Sequence, residues 1–213
     1  MHEQQQMNLM NIHNIQIDDT FAEAFNMRAT RVILTAQNLK WAYHAANATT
    51  GFATSVIGCG VEAGIERELD ETETPDGRPG VSVLLFAMGS KVLMQQLETR
   101  MGQCVLTCPT AAAFAGIASE DKINLGKNLR FFGDGFQTSK LINGKRYWRV
   151  PVMDGEFLCE ETTGMVRAIG GGNFLILATS QSLALAAAEV AIEAMKKIPN
   201  VFMLYLPKDL CFS

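Results

Sequence analysis

Two stretches in the first half of the chain each join a β-branched apolar run to a segment of helical period, and this alternation restricts the fold more than any other feature. Residues 31–35 (RVILT) read as a strand and lead into Asn38, a good N-cap, after which LKWAYHAANATT sets Leu39, Ala42, Tyr43 and Ala46 on one helical face. Gly51 stops that helix, and residues 53–59 (ATSVIGC) read as a second strand. Residues 81–87 (VSVLLFA) form a third, and Ser90 caps a second helix carrying Leu93, Met94, Leu97 and Met101. Gly102 follows that helix, and residues 104–107 supply a fourth strand.

The order βαββαβ is the ferredoxin-like split βαβ pattern: an α/β (α+β) lobe with both helices on one face of an antiparallel sheet, complete within about residues 31–108. The second half starts another unit of this type. Residues 145–152 (KRYWRVPV) and 156–160 (EFLCE) read as strands joined at the Met153-Asp154-Gly155 turn, and 173–178 (NFLILA) as a buried strand. Ser180 then caps a helix with Leu183, Ala187, Val190 and Ala194 inside and a Glu193–Lys197 pair outside; Pro199 ends it, and residues 201–206 begin a strand. The expected organisation is a first lobe over 1–144 and an incomplete second lobe over 145–213. An incomplete second sheet exposes an edge, which implies a homo-oligomer.

The 213 residues carry 18 Lys+Arg against 22 Asp+Glu, so no basic excess is available to neutralise phosphates and nucleic acid is an unexpected partner. No apolar run approaches the roughly 20 residues that span a bilayer, and the first twenty residues lack the features of an export signal, so a cytoplasmic protein without membrane attachment is expected. Five cysteines, without the paired spacing of a zinc site, read as reduced thiols.

Residues 60–80 (GVEAGIERELDETETPDGRPG) read as a long acidic connection, a solvated loop or a functional one. Pro75, Gly77 and Pro79 rigidify its end and aim Asp76 and Arg78. A second carboxylate group, Asp154, Glu156, Glu160 and Glu161, places Glu156 and Glu160 on one strand face, where they are either general acid–base candidates or a hydrated surface. Lys140, Lys145, Arg146 and Arg149 attract an anionic substrate or protect a sheet edge. Asp134 lies between two glycines of FFGDGF, and Gly171, Gly172 and Asn173 belong to GGGN, where the backbone can approach a ligand or form a bulge. Three histidines leave little from which to build a Ser/His or Cys/His nucleophile.

Several strings carry a resemblance: DTFAEAF (19–25), Trp41-Ala42, TGFATSVIGCGVEAGIER (50–67), ETPDGRPG (73–80), GQCVLTCPTAAAF (102–114), FFGDGF (131–136), RYWRVPVMDGEFLCEETTG (146–164) and GGGNFLIL (170–177). Together they resemble the formylmethanofuran:tetrahydromethanopterin formyltransferase family, and GCGVEAGIER and DGEFLCEETTG are closer to its bacterial, methylotroph-type branch. The resemblance implies two ferredoxin-like lobes, assembly into homodimers or homotetramers, and work beside formyltransferase/hydrolase complex subunits in one-carbon metabolism. It implies transfer of a formyl group between methanofuran and N5 of tetrahydromethanopterin, both acting as substrates, with no metal or prosthetic group.

Beyond Asn200 the family pattern is expected to be lost, and with it the segment holding the family's catalytic carboxylate. The catalytic candidates within this chain are Glu156, Glu160 and Asp76; the substrate-binding candidates are Arg78, Asp134, Gly171, Gly172, Asn173 and Arg149. The alternative readings are an inactive shortened member acting as a folding or assembly unit, and a ferredoxin-like small-molecule sensor.

Overall fold

The computed structural model describes residues 9–18, 23–129, 135–153, 155–172, 175–203 and 210–212. The first described elements are β1 (Leu9–Ile12), β2 (Ile15–Asp18), β3 (Phe25–Thr35), α1 (Leu39–Thr50), β4 (Thr54–Ser55), α2 (Val56–Cys59) and β5 (Val61–Leu69). They are followed by β6 (Gly80–Ala87), α3 (Ser90–Arg100), β7 (Ala112–Ala115), β8 (Lys122–Asn124), β9 (Thr138–Ile142), β10 (Lys145–Val152) and β11 (Gly155–Glu160). The last are β12 (Thr162–Gly164), β13 (Val166–Gly170), β14 (Ile176–Ala178), α4 (Gln181–Met195) and β15 (Leu210–Phe212).

One sheet dominates, in the order β4-β5-β6-β3-β7-β11-β10-β9. Within it β5-β6-β3-β7 are mutually antiparallel, the strand order of a split βαβ unit. Val32 and Leu34 of β3, Ala63 of β5 and Val83 and Leu85 of β6 pack in one core with Ala42 and Ala46 of α1 and Leu93 and Leu97 of α3. Both helices therefore cover one face; the opposite one, which carries neither of them, is the open face. β3 is long enough to take β7 along residues 32–35 and β13 along residues 25–29.

The α1 expectation holds in detail: the Asn38 side chain accepts the Trp41 amide at 3.2 Å, and Gly51 follows the last turn. The neighbouring strands differ. Residues 54–59 form a two-residue strand and one helical turn, and Gly60, at φ 75°, redirects the chain into β5. That strand occupies the expected acidic loop, with Val61, Ala63 and Ile65 toward the helices. Gly89, not Ser90, precedes α3, with no side-chain cap. Gly102 does not end the helix; residues 101–105 continue as a π-type turn because Met101 and Val105 are both fully buried, one turn apart. The fourth strand falls at Ala112–Ala115 instead of residues 104–107.

β10 and β11 hydrogen-bond into this same sheet through the parallel pair β11–β7, with Leu158 opposite Ala112. In α4 the Ser180 cap is present, but the buried residues are Ala184 and Ile192, while Leu183 and Val190 are exposed. The expected stripe is thus rotated by one residue, and Glu193 pairs with Lys196 at 2.6 Å. α4 ends at Met195, four residues before Pro199. Residues 201–203 carry no strand, and residues 204–206 lie outside the described residues.

Candidate active site on the open face of the sheet

Register decides which side chains share the face away from the helices. Ala29 lies opposite Phe86, Arg31 opposite Leu84 and Ile33 opposite both Ser82 and Phe114, whereas Val32, opposite Val83, points into the helix-side core. Continuing outward, Leu158 faces Ala112 and Arg149, and Tyr147 faces Glu160 and Lys140. The open face therefore gathers Arg31, Ser82, Phe114, Glu160, Glu156, Tyr147 and Arg149.

At its β5 end the ladder slips between Ile65 and Arg67, so Glu66 is the extra residue of a β-bulge. The bulge turns its carboxylate across Ser82 toward β3. Arg31 donates to Glu66 through Nε and Nη2, both at 2.7 Å, and Ser82 Oγ donates at 2.6 Å. The Asn200 amide donates at 3.0 Å, and Asn200 Oδ1 accepts from Arg31 Nη2 at 2.6 Å. Burial raises the Glu66 carboxyl, but the donors from Arg31, Ser82 and Asn200 outweigh it and hold the pKa below its ordinary value.

In the centre, Glu160 is buried, its side chain 7% exposed, and lies 3.2 Å from Lys145 Nζ. Its second oxygen accepts the Ala115 amide at 3.1 Å. The next residue, Gly116, lies against Arg31: a Cβ there would stand 2.5 Å from Arg31 Cγ. The Ala115–Gly116 backbone thus separates the two ion pairs. Tyr147 packs edge-on against Phe114, and burial, then Glu160, raises its phenol pKa, keeping it a hydrogen-bond donor.

The predicted carboxylate group is not one cluster. Glu156 pairs with Arg149 at the rim, Glu161 lies 3.7 Å from Arg146 Nε, and Glu160 stands with Lys145. Asp76 and Arg78 bind each other at 2.8 Å beyond the end of β3, where Asp76 accepts from Thr35 Oγ1 at 2.8 Å and Arg78 donates to the Thr110 carbonyl at 2.7 Å. The connection before them opens with a capping box at Asp70 and Glu73, and Gly77, between Asp76 and Arg78, takes φ 68°. Gly171 lies beside Phe25 at φ 96°, followed by Gly172. Asp134, Asp154 and Asn173 lie outside the described residues. Among the described residues no three His, Cys, Asp or Glu side chains converge on a metal position.

The family model described as formylmethanofuran-tetrahydromethanopterin formyltransferase matches residues 10–152, and a second, described as its proximal lobe, matches residues 155–213. The chain belongs to this formyltransferase family. The second match runs past Asn200, where the sequence pattern was expected to lapse. The formylmethanofuran–tetrahydromethanopterin formyltransferases of Methylobacillus flagellatus and Methylococcus capsulatus are each 76% identical to it, over 198 and 194 residues. The chain covers 66% and 65% of their lengths, just under two thirds, and each alignment includes 91% of the chain. The formyltransferase/hydrolase complex of Methylorubrum extorquens, solved with methylofuran, contains a similar chain: TM-score 0.87 and 52% identity, covering 90% of this chain and 64% of that one.

Sequence reasoning placed Glu156, Glu160 and Arg149 on one strand pair. It missed the Arg31–Glu66 pair of this family member, whose partners are 35 residues apart in sequence. The available signal was the apolar alternation Val61, Ala63, Ile65, which marks a strand and puts Glu62 and the following Glu66 on its other face.

Proposed function

We propose that the chain transfers a formyl group between the amine of methanofuran and N5 of tetrahydromethanopterin, both as substrates, without a prosthetic group. The observation that carries this reading is 76% identity, over 198 residues, to a formyltransferase of that name. The open sheet face supports it by offering a buried carboxylate beside fixed donors.

The pterin N5 attacks the formyl carbon, a C–N bond forms, and the carbonyl oxygen becomes an oxyanion. The N5 proton moves to a carboxylate, which returns it to the methanofuran nitrogen as the original C–N bond breaks. Glu160 is the proposed carrier. A carboxylate has about four acceptor positions, and the Ala115 amide and Lys145 take one on each oxygen of Glu160. Glu156 is 47% exposed and tied to Arg149, and Asp76 is engaged by Thr35 and Arg78. Tyr147 and Lys145 are the proposed donors to the oxyanion, worth about 2.7–4 kcal/mol where such a donor is preorganised.

Arg149 and the Gly171–Gly172 backbone are the proposed contacts for the long anionic substrates, and Arg78 holds the loop that borders them. Asp134 and Asn173 stay in the proposal on sequence pattern alone. The lobes are proposed as 1–144 and 145–213, with β10 and β11 bridging them. Assembly as a homodimer or homotetramer, beside formyltransferase/hydrolase subunits, is supported by exposed Met10, Ile12, Ile15 and Ile17 on one hairpin face. The proposed location is the cytoplasm.

Incubating the purified chain with formylmethanofuran and tetrahydromethanopterin, and following the formylated pterin by absorbance, tests the proposal. Product accumulating above a no-protein control supports it; its absence, with a full-length relative active in the same buffer, refutes it.

A further inference from the structure

Glu66 differs from every other carboxylate on the open face in having its acceptor positions filled. Oε2 takes Arg31 Nε and Ser82 Oγ, and Oε1 takes Arg31 Nη2 and the Asn200 amide. A buried carboxylate with four donors has no lone pair left for a substrate, so its chemistry is to hold, not to transfer. One donor comes from beyond α4. Asn200 also accepts from Arg31 through Oδ1, giving two contacts in opposite senses, and its φ of 66° turns the backbone onto the sheet.

Two residues later the Phe202 ring lies on Gly64 and beside Phe86, with ring centroids 5.4 Å apart. A Cβ at Gly64 would stand 2.1 Å from Phe202 Cδ2, a separation no side chain tolerates, so that glycine has a partner-specific reason within β5.

We propose that residues 198–203 form a strap docked on the β5–β6 end of the open face, with the Glu66 carboxylate as its clasp and Gly64 as the seat of Phe202. The strap joins the two regions of the chain matched by separate family models, since Glu66 lies in 10–152 and Asn200 in 155–213. It ties the chain beyond α4 to the β5–β6 end of the sheet.

Hydrogen–deuterium exchange of the full chain tests it, because the Asn200 amide is itself a donor to the clasp. In Glu66→Gln and in Phe202→Ala, the Asn200 amide is expected to exchange at least tenfold faster, with β3 and β6 amides still protected. Gly64→Ala is expected to reproduce Phe202→Ala, and the double variant Gly64→Ala/Phe202→Ala to be no worse than Phe202→Ala alone. If Glu66→Gln also loses the sheet amides, Phe202→Ala decides, since its ring lies outside the strands. An Asn200 amide exchanging at an unprotected rate in the unmodified chain, or unchanged in Phe202→Ala, overturns the proposal.

Discussion

The Arg100 guanidinium donates to the Gly51 carbonyl at 2.8 Å, tying the end of α3 to the end of α1. It also donates to the Thr49 and Phe52 carbonyls, so one side chain satisfies three acceptors where α1 runs out of its own. Arg100 is 8% exposed, and burial lowers its pKa while these carbonyls solvate its charge. Arg100→Ala leaves the acceptors unpaired and is expected to cost about 2–4 kcal/mol. Arg100→Lys keeps the charge without the planar fork and is expected to fall between. Urea midpoints at constant slope measure both; an Arg100→Ala midpoint equal to the parent's contradicts the role.

Glu66 makes stability depend on acid pH in a defined direction. A glutamate titrates near 4.5 when unperturbed, and in the folded chain Glu66 titrates lower. Its ionised form therefore adds stability fully present above pH 4.5, lost as pH falls through the lower folded value. The groups facing it are Arg31 from β3, Ser82 from β6 and Asn200 from the strap. Asp70 and Glu73 are shifted the same way, chiefly by hydrogen bonds within their own turn, so the readout is the difference between the parent and Glu66→Gln. That difference in unfolding free energy is expected to shrink from pH 7 toward pH 3; a constant difference contradicts it.

Two glycines separate crowding from conformational preference. A Cβ at Gly126 would stand 2.8 Å from both Cys159 Sγ and the Glu160 carbonyl, whereas one at Gly58 meets nothing within 4 Å. Gly126→Ala is expected to destabilise by about 1–3 kcal/mol, as overpacking does, and to disturb Glu160 with it. Gly58→Ala is expected to be neutral, or stabilising by about 0.5 kcal/mol. Thermal unfolding of both variants checks the contrast.

Cys159 is fully buried, and desolvation, then Glu160, pushes its thiol up. Cys59, Cys104 and Cys108 are half-buried and free. Alkylation of the native chain followed by peptide mass mapping is expected to label those three before Cys159; Cys159 labelling first contradicts its placement.

Sequence pattern reached the fold where independent cues agreed. Asn38, the 3.6-residue stripe and Gly51 agree on α1, and each sits where its chemistry requires. It failed at β5 because the bulge at Glu66 interrupts the two-residue period, leaving a run of acids that composition reads as loop. It failed at residues 104–107 because burial of Met101 and Val105 one turn apart overrides the strand-like composition of CVLT. In α4 the alanine-rich sequence offers two apolar stripes one residue apart, and period alone does not choose between them. Of the site, Glu156 and Glu160 were legible from strand alternation and Arg149 from the basic cluster of the hairpin. The Arg31–Glu66–Asn200 contacts were not, because they join three segments that only the folded sheet brings together.

The measurement that bears most directly on formyl transfer at the open face is steady-state turnover of the chain beside its Glu160→Gln and Glu156→Gln variants, with formylmethanofuran and tetrahydromethanopterin. The expected result is turnover by the unmodified chain, a kcat lowered about 10²-fold or more in Glu160→Gln, and a change within about threefold in Glu156→Gln. Turnover of Glu160→Gln at the parent rate, or no turnover by the folded parent, contradicts it.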